Sequence, residues 1–199
     1  MISVSDIKLI INNIVIYVAR VMLDITLKHP EFILEPVSME ALDDFHEYSI
    51  KSDLHLFLEF EPFKTLEDTR AYLEKLMARS DSESAQYWFI RLLTENKVIG
   101  SIGLHNLDPA RKTVEIGYGI SPDYWGQGIF TKAGLILIDH IFNSLRLHRI
   151  VARTASENIA SIRGLEKLGF KVEGTMRDYY CFTDKSWHNA TLMSLLSTD

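Results

Sequence analysis

Apolar residues recur along this chain with two periods, and the switches between them mark its elements. Residues 32–37 read as a short strand that closes near Pro36. Ser38 then opens a helix to about residue 51, with Met39, Leu42, Phe45 and Tyr48 on one stripe. A second helix starts at Thr65 or Glu67 and runs to about residue 79 on Leu66, Tyr72, Leu73 and Leu76. Residues 87–94, 97–106 and 113–120 form three strands separated by short turns, which is the signature of an antiparallel meander. A long helix over 129–145 carries Phe130, Ala133, Leu137, Ile141 and Leu145 on one side. A strand over 149–154 leads to a helix over 158–168 that stops at Gly169, a natural left-handed cap. Strands over 171–183 and 188–196 close the chain. The sum is an α/β chain: a mixed sheet with helices packed on it and a strand–glycine turn–helix unit at its centre.

The first 28 residues stand apart. They are rich in Ile, Val and Leu, but Arg20 and Asp24 interrupt the run. A spanning helix needs ~20 predominantly apolar residues, so no membrane role is expected. Ile7, Ile11, Ile14, Val18, Met22 and Ile25 have helical spacing and predict a packed helix, although the alternation of Ile14, Ile16 and Val18 leaves a strand open. The chain is therefore read as an apolar extension over 1–28 and one domain over 29–199, with Met22 an alternative start.

Charge and cysteine usage narrow the chemistry. A net charge of −6 argues against a nucleic-acid partner and mildly favours basic substrates. The single cysteine, Cys181, excludes an internal disulfide and a cysteine-based zinc site and fits a reducing cytoplasm. The His, Asp and Glu residues show no metal spacing, so no metal is expected.

The stretch from Ile116 to Phe130 is the most informative. A strand ends at Ile120, Pro122 forces a turn, and Gly126 and Gly128 precede a helix. Amides at a helix start have no internal partner and lie at the positive end of the helix dipole, so such a turn can receive a pyrophosphate. The same residues also fit a tight turn without ligand. No Lys-Ser or Lys-Thr follows, which excludes a Walker A loop, and the third glycine of a Rossmann turn is absent.

Trp125-Gly126-Gln127-Gly128-Ile129-Phe130 resembles the acetyl-CoA pyrophosphate loop of GNAT N-acetyltransferases, with Trp and Phe at its ends where other residues are usual. Asn158, Ser161, Glu166-Lys167 and Gly169-Phe170 resemble the second signature of the RimJ/RimL branch, and Glu173 to Asp178 with Trp187-His188-Asn189 resembles its final strands. The resemblance implies a GNAT fold, with a central, mostly antiparallel sheet whose single parallel pair splays apart. It implies acetyl-CoA as co-substrate and direct attack by an amine. It also implies cofactor contacts from Ile120 and Ser121, from Gly126, Gln127, Gly128, Ile129, Phe130 and Thr131, and from Asn158, Ser161 and Lys167.

Within that resemblance Glu115 is the candidate base, with a raised pKa, and Ser161 the candidate acid for the departing thiolate, because Leu165 stands where many members carry a tyrosine. His105, Tyr179, Tyr180 and His188 are candidates for the acceptor pocket. The expected activity is acetyl transfer to a primary amine, with the α-amine of a protein N-terminus or aminoacyl compound in front. A small-molecule acetyltransferase for an antibiotic, polyamine or amino sugar is one alternative, and a non-catalytic acetyl-CoA sensor is the other. The assembly is expected to be a monomer or homodimer.

Overall fold

Leu27 and Lys28, the last residues assigned to the N-terminal extension, already belong to the sheet. They form β1 (Leu27–Lys28) and pair antiparallel with Leu34 and Ile33 of β2 (Phe32–Pro36). The computed structural model describes residues 25–80 and 84–199, so the N-terminal helix expected over 1–28 lies outside the described residues up to residue 24, and at Leu27–Lys28 a strand stands in its place. Strands β3 (Gln86–Leu92), β4 (Lys97–Asp108) and β5 (Thr113–Ile120) continue the antiparallel meander. Next to β5 lies β6 (Arg149–Ala155), parallel to it, as a strand returning through a helical crossover must be. The hairpin of β7 (Lys171–Cys181) and β8 (Trp187–Leu196) completes the sheet, giving the order β1-β2-β3-β4-β5-β6-β8-β7.

Strand alternation gives the sheet two apolar faces. On one, Ile116 and Ile150 are buried beneath Ile129, Ala133 and Leu137 of α4 and Leu165 of α5. On the other, Phe89 and Val98 pack under Phe45 and Tyr48 of α1 and Leu73 and Leu76 of α3. These helices are α1 (Leu42–Ser49), α2 (Ser52–His55), α3 (Leu66–Ser80), α4 (Ile129–Asp139) and α5 (Ile159–Lys167).

Three local expectations change. Ser38 makes no side-chain cap: a 3₁₀ turn (Met39–Ala41) precedes α1, and the helix breaks after Ser49 into the separate α2. The long helix ends as α-helix at Asp139 and continues as a π turn (His140–Ser144). Its apolar positions recur every fourth residue from Ala133, more slowly than a 3.6-residue turn, and a wider turn brings Ile141 back onto the sheet. Gly117 and Gly119 lie in regular strand. Both pair in regular register with Gly103 and Ser101, and the irregularity falls in β4 between His105 and Asp108, where Asn106 takes a φ of 54°.

Gly100 is needed for the close approach of β4 to β5. A Cβ there would lie 2.6 Å from the carbonyl oxygen of Gly119, against backbone that has nowhere to go. Gly100→Ala should therefore cost about 1–3 kcal/mol in urea unfolding, the range of an overpacked core. Gly174→Ala, whose added Cβ meets nothing within 4 Å, should stay within about 0.5 kcal/mol of wild type.

Candidate active site

Strands β5 and β6 are paired only at their starts. The partners are Thr113 with Arg149, Val114 with Ile150 and Glu115 with Val151, and beyond them the strands part. The direction of the freed peptide groups follows from the alternation. The Ser121 amide donates to the Ile99 carbonyl at 2.7 Å, so odd-numbered β5 residues face β4. Even-numbered residues face the other way, which turns the peptide groups of Ile116 and Tyr118 into the gap. Of the two residues expected at the cofactor here, Ser121 faces β4, whereas Ile120 is even-numbered and faces the gap side. Both are buried, the Ser121 amide is bound to Ile99, and the Ile120 carbonyl accepts the Trp125 indole N–H at 2.7 Å. By the same alternation the Ile120 amide joins the peptide groups of Ile116 and Tyr118 on the side that a bound chain would meet.

The same indole bond anchors the glycine turn at the end of the gap. Gly126 and Gly128 both have φ of 75°, a conformation that glycine adopts without strain, and a Cβ on either would meet nothing within 4 Å. Helix α4 begins immediately after. Its first internal bond runs from the Lys132 amide to the Gly128 carbonyl at 3.1 Å, and no side chain caps it. The amides of Ile129, Phe130 and Thr131 thus precede the first helical bond, and the bare glycine surface beside them is open. This arrangement fits a diphosphate. The side chain of Gln127 donates instead to the Asp123 carbonyl at 3.2 Å. The Phe130 ring is directed to the interior: it lies 4.0 Å from the Tyr118 ring, and a Cβ on Gly164 would come within 2.8 Å of it. Its bulk therefore leaves the turn clear. Lys167 is exposed in the last turn of α5.

Asn158 caps α5 by accepting the Ser161 amide at 3.1 Å, which fixes where the Ser161 hydroxyl sits. That hydroxyl is 2.6 Å from the Tyr118 hydroxyl, linking α5 to β5 on the helical side of the gap. Burial pushes the Tyr118 phenol up to about 12, partly offset by its bond to Ser161, so the pair keeps its protons at physiological pH. Tyr118 stands between Gly117 and Gly119 and belongs to no motif in the sequence. Its alternation with Ile116 and Ile120 does place it on the helical face.

Glu115 sits on the opposite face, at the last paired position before the strands part. Arg153 donates to both of its carboxylate oxygens, with Nε at 2.7 Å from Oε1. His105 Nε2 lies 3.4 Å away and Asn106 donates at 3.0 Å. Burial raises the carboxyl pKa, but the bonds from His105, Arg153 and Asn106 outweigh it and hold the group at about 2. The raised pKa expected of a base is therefore corrected. Arg153 also donates to the Tyr179 hydroxyl and lies over the Tyr179 ring, and Glu115, Val151, Arg153 and Leu192 line an open hollow of about 330 Å³. Among the described residues no group of three His, Cys, Asp or Glu side chains is placed to hold a metal ion, and no helix is long and apolar enough to cross a membrane.

A parted parallel pair with an amide-lined glycine turn at its end defines an acyl-CoA-dependent transferase fold, and sequence comparison agrees. The profile described as an acetyltransferase (GNAT) domain matches residues 31–171. Among relatives, the uncharacterized N-acetyltransferase p20 of Bacillus licheniformis is 30% identical over 154 residues, 77% of this chain and 86% of that protein. The ribosomal-protein-serine acetyltransferase of Escherichia coli K12 is 32% identical over 111 residues, 56% of this chain and 61% of that protein. The spermidine N(1)-acetyltransferase of the same organism is 24% identical over 162 residues, 81% and 84% of the two chains. A solved GNAT-family acetyltransferase from Bacillus anthracis superposes with a TM-score of 0.77 at 26% identity, covering 88% of this chain and all of that one. The chain belongs to the GNAT acetyltransferase family. Its ribosomal-protein relatives put it on a RimJ-like branch.

The Glu115–Arg153 pair has a measurable signature. The folded pKa of about 2 lies below the ordinary 4.5, so this stability is present above pH 4.5 and is lost as pH falls from there toward 2. The amount is about 1–3 kcal/mol after screening by water is allowed for. Urea unfolding of Glu115→Gln at pH 7 should show a loss of that order. Between pH 5 and 3 its stability should fall less steeply than that of wild type.

Proposed function

We propose that this protein transfers the acetyl group of acetyl-CoA to the α-amine of a protein N-terminus or an aminoacyl compound, by direct attack within a ternary complex. The observation that carries the reading is the open glycine turn at the start of α4, set at the end of the gap between β5 and β6. Acetyl-CoA supplies the acetyl group and a thiol leaving group. The amides of Ile129, Phe130 and Thr131 receive the diphosphate, and the peptide groups of Ile116 and Tyr118 hold the pantetheine by strand-like hydrogen bonds. Ser161 and Tyr118 form the proton donor for the departing thiolate, since both hydroxyls remain protonated and are held together. Asn158 positions Ser161.

The acceptor class follows from Glu115. A carboxylate held at about pKa 2 by Arg153 is a poor base at neutral pH. At pH 7 an α-amine, with a pKa of about 8, is roughly a tenth neutral, whereas a lysine-like amine near 10.4 is almost wholly protonated. The site suits the first. A polyamine or amino-sugar acceptor and a non-catalytic sensor are the outcomes that would overturn this reading.

Two tests follow. Gly128→Glu places a charged side chain on the open turn and should weaken acetyl-CoA binding by about 2 kcal/mol or more in calorimetry, while Gly128→Asn, which tolerates this φ, should retain more affinity. Tyr118→Phe and Ser161→Ala should each lower turnover about tenfold or more with acetyl-CoA affinity little changed. Thiol release measured against N-terminal peptides, spermidine and amino sugars decides the class: faster turnover of spermidine overturns the α-amine assignment, and binding without any turnover leaves a sensor.

A further inference from the structure

The face of the gap opposite α4 and α5 is crossed by a segment of its own. The chain between Lys51 and Phe60 carries α2 and is pinned at three points. Lys51 pairs with Asp123, just past the end of β5. A Cβ on Gly119, in the parted length of β5, would lie 3.4 Å from Leu54 Cδ1. The Glu59 carboxylate accepts the Cys181 amide of β7 at 3.1 Å. In the sheet order the gap lies between β5 and β6, and β7 lies beyond β6, so a segment pinned to both β5 and β7 crosses the gap. Gly119 is odd-numbered, so Leu54 covers the face of Glu115 and not that of Tyr118. The Tyr180 phenol, next to Cys181, lies within electrostatic reach of Glu59, Glu115 and Arg153 alike, which puts Glu59 on the same side.

At four residues, α2 is too short to hold its shape alone. His55 holds it instead. Its imidazole is buried between two carbonyls, with Nε2 2.7 Å from that of Ser49, at the end of α1, and Nδ1 3.2 Å from that of Phe60. A carbonyl only accepts, so Nε2 carries a proton and donates to Ser49. Phe60 and Phe63 meet the ring edge-on, with centroids at 5.3 and 6.2 Å. One side chain thereby draws the two ends of the crossing segment together. Glu59, one residue before Phe60, is held where its carboxylate meets β7.

We propose that His55 and Glu59 are positioning residues for the acceptor: they hold residues 51–59 across the gap, and the acceptor binds between this segment and the sheet. This rests on the acetyltransferase reading above. The helical face of the gap is taken up by α4, α5 and the Tyr118–Ser161 pair, so the amine reaches the acetyl carbonyl from the face that the segment crosses. Gly117 and Gly119 present no side chain on that face, which lets the segment and the acceptor come close to the β5 backbone. Neither His55 nor Glu59 touches the reacting atoms. Each acts through the segment it fixes, and a displaced segment weakens acceptor binding while leaving the cofactor's contacts with α4 and the gap in place.

The test is the split between KM and kcat for the amine that wild type turns over fastest among N-terminal peptides, spermidine and amino sugars, beside calorimetric binding of acetyl-CoA. Glu59→Ala should raise the acceptor KM about tenfold, with kcat and acetyl-CoA affinity within about twofold of wild type. Glu59→Gln keeps a carbonyl oxygen for the Cys181 amide and should recover most of that loss. His55→Leu should also raise the acceptor KM about tenfold, and His55→Gln, whose amide can still donate to Ser49, should fall between it and wild type. Glu59 is exposed, so its variants remain folded and carry the test even where His55→Leu does not. An unchanged acceptor KM in Glu59→Ala overturns the positioning role alone. An equal loss in Glu59→Gln also overturns it, because the charge itself would then be the contact, and so does a matching loss of acetyl-CoA affinity. Wild-type protein that acetylates no amine overturns the transferase reading and the positioning role with it.

Discussion

The parting of β5 from β6 after Glu115 and Val151 is the constraint around which this molecule is built. Two adjacent parallel strands that lose their ladder leave peptide groups without partners, which a buried sheet does not tolerate without compensation. Here the breach is bounded on both faces. On one, the Glu115 carboxylate receives Arg153 from β6; on the other, Tyr118 meets Ser161 from α5. Between these two clasps lies a slot whose walls are backbone, ready for a ligand that carries amides of its own. Outside the slot both strands are fully supported, β5 by β4 and β6 by β8.

That view also changes what Glu115 is for. A carboxylate at the entrance to a cofactor gap invites a catalytic role, and the sequence pattern encouraged it. The geometry gives it three hydrogen-bond donors from two neighbouring strands, and each favours the charged form. Strength as a clasp and strength as a base are opposed, since every donor that stabilises the anion lowers its affinity for a proton.

Much of this was legible before any coordinates. Strand and helix periodicity placed nearly every element within a few residues, because burial on this sheet is strongly one-sided for each side chain. The glycine turn was legible because glycine adopts the φ of 75° found at Gly126 and Gly128 without strain. Pairings across long separations were hidden. Arg153 lies 38 residues from Glu115 and Ser161 lies 43 from Tyr118, and nothing in a linear pattern joins them. The π turn was missed because a stripe of every fourth residue still looks helical, and the break between α1 and α2 because Ile50 and Lys51 carry no breaker.

The N-terminal edge carries one more consequence. The family match starts at residue 31, yet the Trp88 indole, wholly buried in the core, donates to the Ile25 carbonyl at 2.8 Å. The folding unit therefore begins upstream of the homologous segment, and the chain entering at Ile25 neutralises a polar hydrogen in the centre of the apolar layer. Among the described residues β1, at two residues, is also a short terminus for the sheet. The segment from Ile25 to Lys28 thus serves as a stopper at that end of the sheet, giving a buried donor its partner.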